Sequence, residues 1–268
     1  MFLTTRGARA TVDLRAGGRL ASLVIDGREI LVTEGEGPFA WGAFPMAPFA
    51  GRLRHGAFWF GGRLWHVPAN WPPHAIHGFV AERSWQQDDD RRISVEVGDP
   101  WPFSGRLTQS FELRPGQLSF SMTLEAHEPM PASIGWHPWF LRRPRSSGHP
   151  PPSAIEPAPL ELEFDAGVMY LRDEEGIATS RLVAPTPGPR DDCFTDLRQP
   201  PIVRWRRYLE LTIESTCPDW VVYDEPAHAI CVEPQTAPPD GPNLRPHVVV
   251  PGRPLVAEMR WRWRSVDD

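Results

Sequence analysis

Residues 107–126 read LTQSFELRPGQLSFSMTLEA, and this stretch indicates the fold more clearly than any other in the chain. Apolar residues alternate with polar ones on both sides of the Pro115-Gly116 pair, and alternate residues of a β-strand point to the same face of its sheet. Proline followed by glycine is typical of a tight turn. The stretch therefore predicts a β-hairpin with one buried face, formed by Phe111, Leu113, Leu118, Phe120, Met122 and Leu124.

The same two-residue period returns at both ends of the chain. TVDLR at 11–15 and RLASLVI at 19–25 flank an Ala-Gly-Gly turn, and residues 255–263 alternate apolar side chains with glutamate and arginine. The 22 glycines and 32 prolines suit turns and sheet edges better than long helices. We therefore expect an all-β protein.

The length of the chain allows one large domain or two small ones. At 268 residues it is long for one domain, although β-sandwiches reach about 250 residues as one unit. The proline-rich stretch 143–159, RPRSSGHPPPSAIEPAP, is predicted to be a long surface loop. A linker is the alternative, but strand patterns of similar character lie on both sides. We expect a single domain over residues 1–268.

Composition excludes several classes of partner. The net charge of -6 gives no basic surface of the kind that binds a phosphate backbone, so nucleic acid is not expected. The first residues lack a signal-like apolar segment of about 7 to 15 residues, and no run of about 18 apolar residues occurs. A soluble, cytoplasmic protein without membrane contact is expected. Its three cysteines, Cys193, Cys217 and Cys231, are expected to be reduced, and they lack the C-x-x-C spacing of a zinc or redox site.

One residue type is missing altogether. All 28 basic residues are arginine, because the sequence contains no lysine. Schiff-base aldolases, pyridoxal-phosphate enzymes and Walker-type phosphate loops each need a lysine nitrogen. These three classes of function are therefore excluded.

Polar residues of catalytic type are concentrated in short stretches that are otherwise apolar or rich in proline and glycine, and such a contrast marks a candidate site. The candidates are Arg52 in PFAGRLRHGAFWFGG (48–62), His77 in NWPPHAIHGFV (70–80), His137 in PASIGWHPWF (131–140), Asp191 in DDCF (191–194) and Glu233 in HAICVEPQTAPPDGPNL (228–244). Taken singly, each also has a structural interpretation: a surface arginine, a core histidine, a solvated turn, or an edge-strand ion pair.

Local geometry gives His137 and Glu233 the strongest case. On an extended strand, His137 lies on the face that Ser133 and Gly135 leave clear. Trp139 lies next on the same face and offers an aromatic floor for a sugar. Alternation in the last stretch puts Glu233 beside small neutral side chains, which would partly desolvate the carboxylate and make it a better base.

In this order, the motifs APFAGRL, PPHAIHGFV, IGWHPWF, DDCF and CVEPQTAPPDGPNL resemble those of the aldose 1-epimerase family over most of the chain. The resemblance implies a large antiparallel β-sandwich of the galactose-mutarotase type, a supersandwich, with sugar bound across one concave sheet face. It implies that Glu233 takes the proton of the anomeric hydroxyl and that His137 donates a proton to the ring oxygen. It also implies that His77 supports the ring side of the substrate, while Arg52 and Asp191 bind hydroxyls.

The implied reaction interconverts the α and β anomers of a free hexose. A hemiacetal needs one proton removed and one delivered, so a carboxylate and an imidazole suffice, and we expect neither cofactor nor metal. Because Glu233 must be ionised while His137 is protonated, a bell-shaped pH profile is expected. A monomer and a homodimer both remain open.

Two departures from the family pattern bear on the substrate. Gly51 stands where many relatives have asparagine, and Asp192 stands where some have histidine, so it stays open whether Asp191 or Asp192 contacts the sugar. A hexose-6-phosphate mutarotase is the nearest alternative function, with Arg54 and Arg245 as candidate phosphate ligands.

Two further alternatives belong to other classes. A non-catalytic carbohydrate-binding protein would not need both Glu233 and His137. A glycoside hydrolase using Glu233 and Asp191 as its carboxylate pair would leave His137 without a chemical role.

Overall fold

The computed structural model describes residues 1–148 and 157–266, which form strands joined by turns and very short helices. The strands of the first half are β1 (Phe2–Thr5), β2 (Ala8–Asp13), β3 (Arg19–Ile25), β4 (Arg28–Leu31), β5 (Ala43–Met46), β6 (Arg52–Leu53), β7 (Ala57–Phe60), β8 (Arg63–His66), β9 (Ala75–Ile76), β10 (Gln86–Gln87), β11 (Arg92–Val97), β12 (Gly105–Arg114) and β13 (Gln117–Ala126). Those of the second half are β14 (Met130–Pro131), β15 (Gly135–Ser146), β16 (Glu161–Glu163), β17 (Ala166–Arg172), β18 (Ala178–Val183), β19 (Asp191–Leu197), β20 (Ile202–Trp205), β21 (Leu209–Ser215), β22 (Asp219–Tyr223), β23 (Ala229–Gln235), β24 (Val248–Val249) and β25 (Leu255–Ser265).

Within the described residues, helical structure is limited to short turns. Two 3₁₀ turns cover Arg54–Gly56 and Val80–Glu82, and α1 covers Gly241–Leu244. No helix within residues 1–148 and 157–266 is long and apolar enough to cross a membrane.

The hairpin predicted for residues 107–126 is confirmed. Strands β12 and β13 pair antiparallel, with Phe111 opposite Phe120 and Leu113 opposite Leu118. Burial alternates along both strands, so one face is covered and the other faces solvent. The predicted strands near the two ends of the chain are confirmed as β2, β3 and β25.

Two large antiparallel sheets make up most of the described structure. The first has eleven strands, in the order β1-β2-β3-β4-β15-β23-β22-β19-β17-β18, with β5 pairing to β15 and β3 beside this path. The second has eight strands, in the order β10-β11-β12-β13-β25-β21-β20-β16. The all-β prediction and the sandwich implied by the resemblance are confirmed.

The two sheets bury aromatic side chains against each other. Phe140 of β15 lies 5.0 Å from Trp261 of β25, measured between ring centroids, and Trp261 lies 4.8 Å from Phe120 of β13. The indole Nε1 of Trp136 donates to Oε1 of Gln109 across the core at 3.0 Å. Alternate residues of β15 point to opposite faces of the sheet. Because Trp136 and Phe140 point into the core between the two sheets, His137 points to the opposite face of the first sheet.

The prediction of a loop over residues 143–159 is wrong for residues 143–146. Strand β15 continues to Ser146, and beyond a register shift Arg145 pairs with Glu29 and Ser146 pairs with Arg28 of β4. A neighbouring strand thus fixes an extended conformation that composition did not indicate. Residues 157–159 carry no regular structure, and residues 149–156 lie outside the described part of the chain.

Candidate active site

His137 and Glu233 face each other on neighbouring strands. Strand β15 pairs antiparallel with β23, and the register that joins Gly135 to Gln235 and Trp139 to Cys231 puts His137 opposite Glu233. The distance from Nε2 of His137 to Oε1 of Glu233 is 3.1 Å, within hydrogen-bond reach. Both side chains are almost fully buried.

Aromatic rings fix the orientation of the His137 imidazole. Phe44 of β5 stacks on it at 4.6 Å with an interplanar angle of 21°, and Trp139 stacks at 5.4 Å with an angle of 14°. Nδ1 of His137 is buried and has no hydrogen-bond partner among the described residues. The imidazole is therefore held by packing, with Nε2 directed at the carboxylate.

His77 lies edge-on to His137, with ring centroids 5.0 Å apart and planes at 88°. Its backbone adopts a left-handed conformation, with φ at 56°, and its N–H donates to the carbonyl of Gly51 at 2.9 Å. Asn70 bonds both the N–H and the carbonyl of Ile76, the preceding residue. A residue held in a sparsely populated backbone region is typical of a functional site.

Burial sets the protonation of His77. It lowers the pKa of His77 to about 3, with a smaller contribution from the positive charge of Arg52. The imidazole is therefore neutral at neutral pH, and its buried Nδ1 has no partner among the residues that the structure describes. His77 belongs to the wall of the cavity described below, where a neutral imidazole can bond a hydroxyl group without adding charge.

Gly51 is required by the backbone at its position. Its φ is 68°, and a Cβ there would lie 2.7 Å from Cβ of Pro239. An asparagine at this position would need the chain around Pro239 to move.

Two arginines hold the aspartate pair that begins β19. Nη2 of Arg52 lies 3.0 Å and Nη1 of Arg172 lies 3.2 Å from Oδ2 of Asp191. Nε of Arg172 lies 2.8 Å from Oδ1 of Asp192, and Nη1 of Arg52 donates to the carbonyl of Gly176. This network presents several donors and acceptors at fixed positions, as recognition of sugar hydroxyls requires.

A cavity of about 540 Å³ joins these groups. Its wall contains all five of the predicted site residues, Arg52, His77, His137, Asp191 and Glu233. Aromatic side chains form much of the remaining wall: Phe39, Trp71, Trp139 and Tyr223. The cavity volume is within the range of about 300–1,000 Å³ that is usual for small-molecule sites.

Burial favours the uncharged forms of both Glu233 and His137. It raises the pKa of Glu233 well above the ordinary carboxyl value, with a further rise from Asp191. It lowers the pKa of His137 well below the ordinary imidazole value, as does nearby His77. The neutral pair and the ion pair differ only in the position of one proton, so transfer of that proton from Glu233 to His137 makes a base and an acid together.

Sequence reasoning missed several residues that line the cavity or contact its catalytic candidates. Arg172 belongs to no recognisable motif, and only the pairing of β17 with β19 brings it to Asp191. Trp71 is within a predicted stretch, but its exposure at 54% beside the cavity is a property of the fold. Phe44 touches His137 because β5 pairs with β15, a long-range contact that periodicity does not predict.

The aldose 1-epimerase family profile matches residues 3–261, so the chain belongs to this family. The uncharacterized protein YphB of Escherichia coli K12 is 31% identical over 110 residues, and the match covers 38% of this chain and 38% of YphB.

Solved structures of similar fold include two from bacteria. A galactose mutarotase-like protein of Clostridium acetobutylicum has a TM-score of 0.81 and 17% identity, covering 99% of this chain and 95% of that one. A galactose 1-epimerase of Lactobacillus acidophilus has a TM-score of 0.76 and 16% identity, covering 99% and 94%. At these identities the likeness concerns the fold.

Proposed function

We propose that this protein is an aldose 1-epimerase that interconverts the α and β anomers of a free hexose. The observation that carries the proposal is the His137–Glu233 contact of 3.1 Å at the wall of the cavity. A carboxylate and an imidazole in direct contact can deliver and remove protons at neighbouring oxygens of one small substrate. The hemiacetal oxygens of an aldose, both on C1, are such a pair.

The reaction begins with transfer of the shared proton to His137. Ionised Glu233 removes the proton of the anomeric hydroxyl, and the electron pair of that O–H bond forms the aldehyde carbonyl. The bond between C1 and the ring oxygen breaks, and its electrons take the proton from His137. Rotation about the C1–C2 bond, followed by the reverse transfers on the other carbonyl face, gives the opposite anomer. Each positioned acid or base typically contributes about 100 to 10,000-fold to the rate.

We assign the other predicted residues to substrate binding. Arg52 and Asp191 face the cavity within one ion-paired network, so their remaining donors and acceptors are available to hydroxyls. Neutral His77 also belongs to the cavity wall and supports the ring side of the sugar. Asp192 also faces the cavity, so both aspartates of the pair remain candidates for sugar contact.

The charge of the cavity favours a free hexose over a hexose 6-phosphate. Among the described residues, its wall has two guanidinium groups, and both are paired with aspartates. The wall also contains six carboxyl groups, those of Glu36, Glu82, Asp191, Asp192, Glu225 and Glu233. A phosphate group would meet net negative charge, which is costly in a partly closed cavity.

The two arginines considered as phosphate ligands are engaged elsewhere. Arg54 forms ion pairs with Asp173 and Glu175, and Arg245 pairs with the fully buried carboxylate of Asp219. Turning either arginine toward the cavity would leave these carboxylates unpaired. The phosphorylated substrate is therefore the weaker candidate.

The two remaining alternatives explain less of the site. A carbohydrate-binding protein has no need for an ionisable pair that is costly to bury. A glycoside hydrolase with Glu233 and Asp191 would need His137 only as a spectator, although it is the direct partner of Glu233. We further propose that the chain acts as one domain in the cytoplasm, as a monomer or a homodimer.

The test of substrate class is a polarimetric comparison. Fresh α-D-glucose, α-D-galactose and α-D-glucose 6-phosphate are dissolved at equal concentration, and the approach to anomeric equilibrium is followed with and without enzyme. We expect clear acceleration for the free sugars and at least about tenfold lower kcat/KM for the phosphate, an energy difference of about 1.4 kcal/mol. Equal or greater activity on the phosphate would rule out the free-hexose assignment.

A further inference from the structure

Cys231 lies next to the catalytic pair and has no part in the proposed reaction. It precedes Glu233 by two residues on β23, so both side chains point to the same face of the strand. One ligand-type atom of Cys231, His137 and Glu233 each can be chosen so that all three lie within 4.8 Å of one another. Strand β23 supplies the sulfur and the oxygen, and β15 supplies the nitrogen.

We propose that Cys231, His137 and Glu233 form a Zn²⁺-binding site, and that zinc bound there excludes the sugar and reversibly inhibits the enzyme. The binding part stands on the geometry of the three side chains alone. The inhibition part rests on the proposed function.

The ligand set suits zinc in type and in charge. Thiolate, imidazole and carboxylate are the three side-chain ligands that Zn²⁺ takes in proteins, and three such ligands leave one position for water. A thiolate and a carboxylate balance the two positive charges of the ion, so the complex formed with neutral imidazole has no net charge. A neutral complex is the form that a buried site penalises least.

The distances between the ligand atoms are close to those of tetrahedral Zn²⁺ coordination. Zinc bond lengths of about 2.0–2.3 Å put neighbouring ligand atoms roughly 3.3–3.6 Å apart. The nitrogen and oxygen of the pair are already 3.1 Å apart, and movements of about 1 Å by the side chains would complete the set.

Access to the site is through the sugar cavity. His137 and Glu233 belong to the cavity wall, so an ion that enters meets two ligands, while Cys231 lies fully buried beside them. Binding displaces the thiol proton and the proton shared by the pair, and both leave to water. Because the bound ion occupies the acid and the base together, zinc and sugar compete.

Spectroscopy with Co²⁺ as the probe tests binding without reference to activity. Purified, reduced protein is treated with a chelator, dialysed and titrated with Co²⁺, and a thiolate-to-cobalt charge-transfer absorption in the near ultraviolet is expected. Cys231→Ser and Cys231→Ala should both lose this absorption, and addition of Zn²⁺ to the wild type should remove it. Circular dichroism and thermal unfolding show whether each variant is folded.

The other two cysteines provide matched controls. Cys193 and Cys217 are also buried and free, so Cys193→Ser and Cys217→Ser should keep the absorption. Absence of the charge-transfer absorption in folded wild type would overturn the site, as would an absorption that depends on Cys193 or Cys217.

The kinetic part uses mutarotation in the presence of Zn²⁺, with each variant compared with its own zinc-free rate. Zinc should inhibit the wild type and a chelator should restore the rate. The Cys231 variants should need at least about tenfold more zinc for the same inhibition, since even outer-shell losses weaken metal sites by about 10 to 100-fold. Equal inhibition of wild type and variants would overturn the inhibitory role. If the cobalt absorption is present but the protein has no mutarotase activity, the proposed function fails and the metal site stands.

Discussion

Two carboxylates flank strand β15 in the eleven-stranded sheet, and they differ in how their oxygens are satisfied. Glu29 lies on β4 at one side of β15, and Glu233 lies on β23 at the other. Both are buried, and burial raises the pKa of each above the ordinary carboxyl value. Burial and perturbed pKa are therefore common to both and do not by themselves identify a functional group.

Glu29 is enclosed by donors from its own hairpin. Its Oε1 accepts the backbone N–H groups of Leu23 at 3.0 Å and Leu31 at 2.9 Å, and its Oε2 accepts the hydroxyl of Ser22. A buried polar group with its partners in place is typical of a structural role. Glu29 thus fixes the β3–β4 hairpin.

Glu233 contacts the imidazole of His137 and belongs to the wall of an open cavity. His137 can itself accept or donate a proton, whereas the backbone N–H groups of Leu23 and Leu31 that hold Glu29 cannot exchange one with it. Glu29 is not among the residues that line this cavity. The difference teaches that a titratable partner and access to a cavity, more than burial or a raised pKa, distinguish the reactive carboxylate.

The largest effect is expected at Glu233. Glu233→Gln keeps the shape but cannot accept the anomeric proton, so kcat should fall by about 100 to 10,000-fold. The folded-state pKa of Glu233 is raised, so the stability it contributes is present at low pH and is lost as pH rises from about 4.5 through the folded value. The variant should therefore unfold no more easily than wild type, and its relative stability should increase toward alkaline pH. Polarimetry measures the fall in kcat, and urea unfolding at two pH values measures the change in stability. A clear loss of stability in Glu233→Gln would show that Glu233, like Glu29, has a structural role.

Glu29 should show the reverse behaviour. Glu29→Ala leaves two buried backbone N–H groups and the half-buried hydroxyl of Ser22 without their acceptor, and each buried donor left unsatisfied costs roughly 1–3 kcal/mol. We expect the free energy of unfolding to fall by about 2–4 kcal/mol, while kcat of the folded protein stays near the wild-type value. Chemical denaturation and polarimetry on the same preparation measure both. An activity loss comparable with that of Glu233→Gln would remove the distinction between the two carboxylates.

A pH effect of intermediate size is expected from His77. Because its folded-state pKa is lowered to about 3, its stabilising contribution is complete above about 6.5 and is lost as pH falls toward 3. The loss approaches about 1.4 kcal/mol per pH unit in this window. We choose His77→Asn because asparagine tolerates a positive φ. Between pH 6.5 and 4.5, its free energy of unfolding should depend less on pH than that of the wild type. Identical slopes for variant and wild type would show that His77 is not buried in its neutral form.

The smallest effect is expected at Gly51. Gly51→Asn adds an amide at the cavity wall, but its Cβ would press on Pro239 at a positive φ. We expect a loss of stability of about 1–2 kcal/mol and no decrease in KM for galactose. A lower KM with unchanged stability would mean that the backbone at Pro239 adapts and that the amide reaches the sugar.

Much of the fold was predictable because it depends on local alternation. The hairpin of β12 and β13, the early strands and β25 each show a two-residue period, and the family resemblance supplied the sandwich. The end of β15 was not predictable, because Arg145 and Ser146 are extended only through their pairing with β4. The single domain stays a prediction.

The candidate site was predictable at the residues that belong to motifs. All five motif residues line one cavity, although the roles assigned to them are proposals. Complete burial of His137 and Glu233 was not apparent from sequence, and it shifts the pKa of each residue against the ion pair expected there. Arg172 and Phe44 reach the site through strand pairing, so no local pattern reveals them. Cys231 shares a strand face with Glu233 by alternation, but only the pairing of β15 with β23 brings it to His137.

The most direct test of the central claim is a double-mutant cycle on α-D-glucose mutarotation, followed by polarimetry at neutral pH. Wild type, Glu233→Gln, His137→Asn and the double variant are compared after each is shown to be folded. If the pair acts as one acid–base unit, each single change should lower kcat by about 100-fold or more, and the double variant should be little slower than the slower single one. A wild-type rate in either single variant would contradict the account.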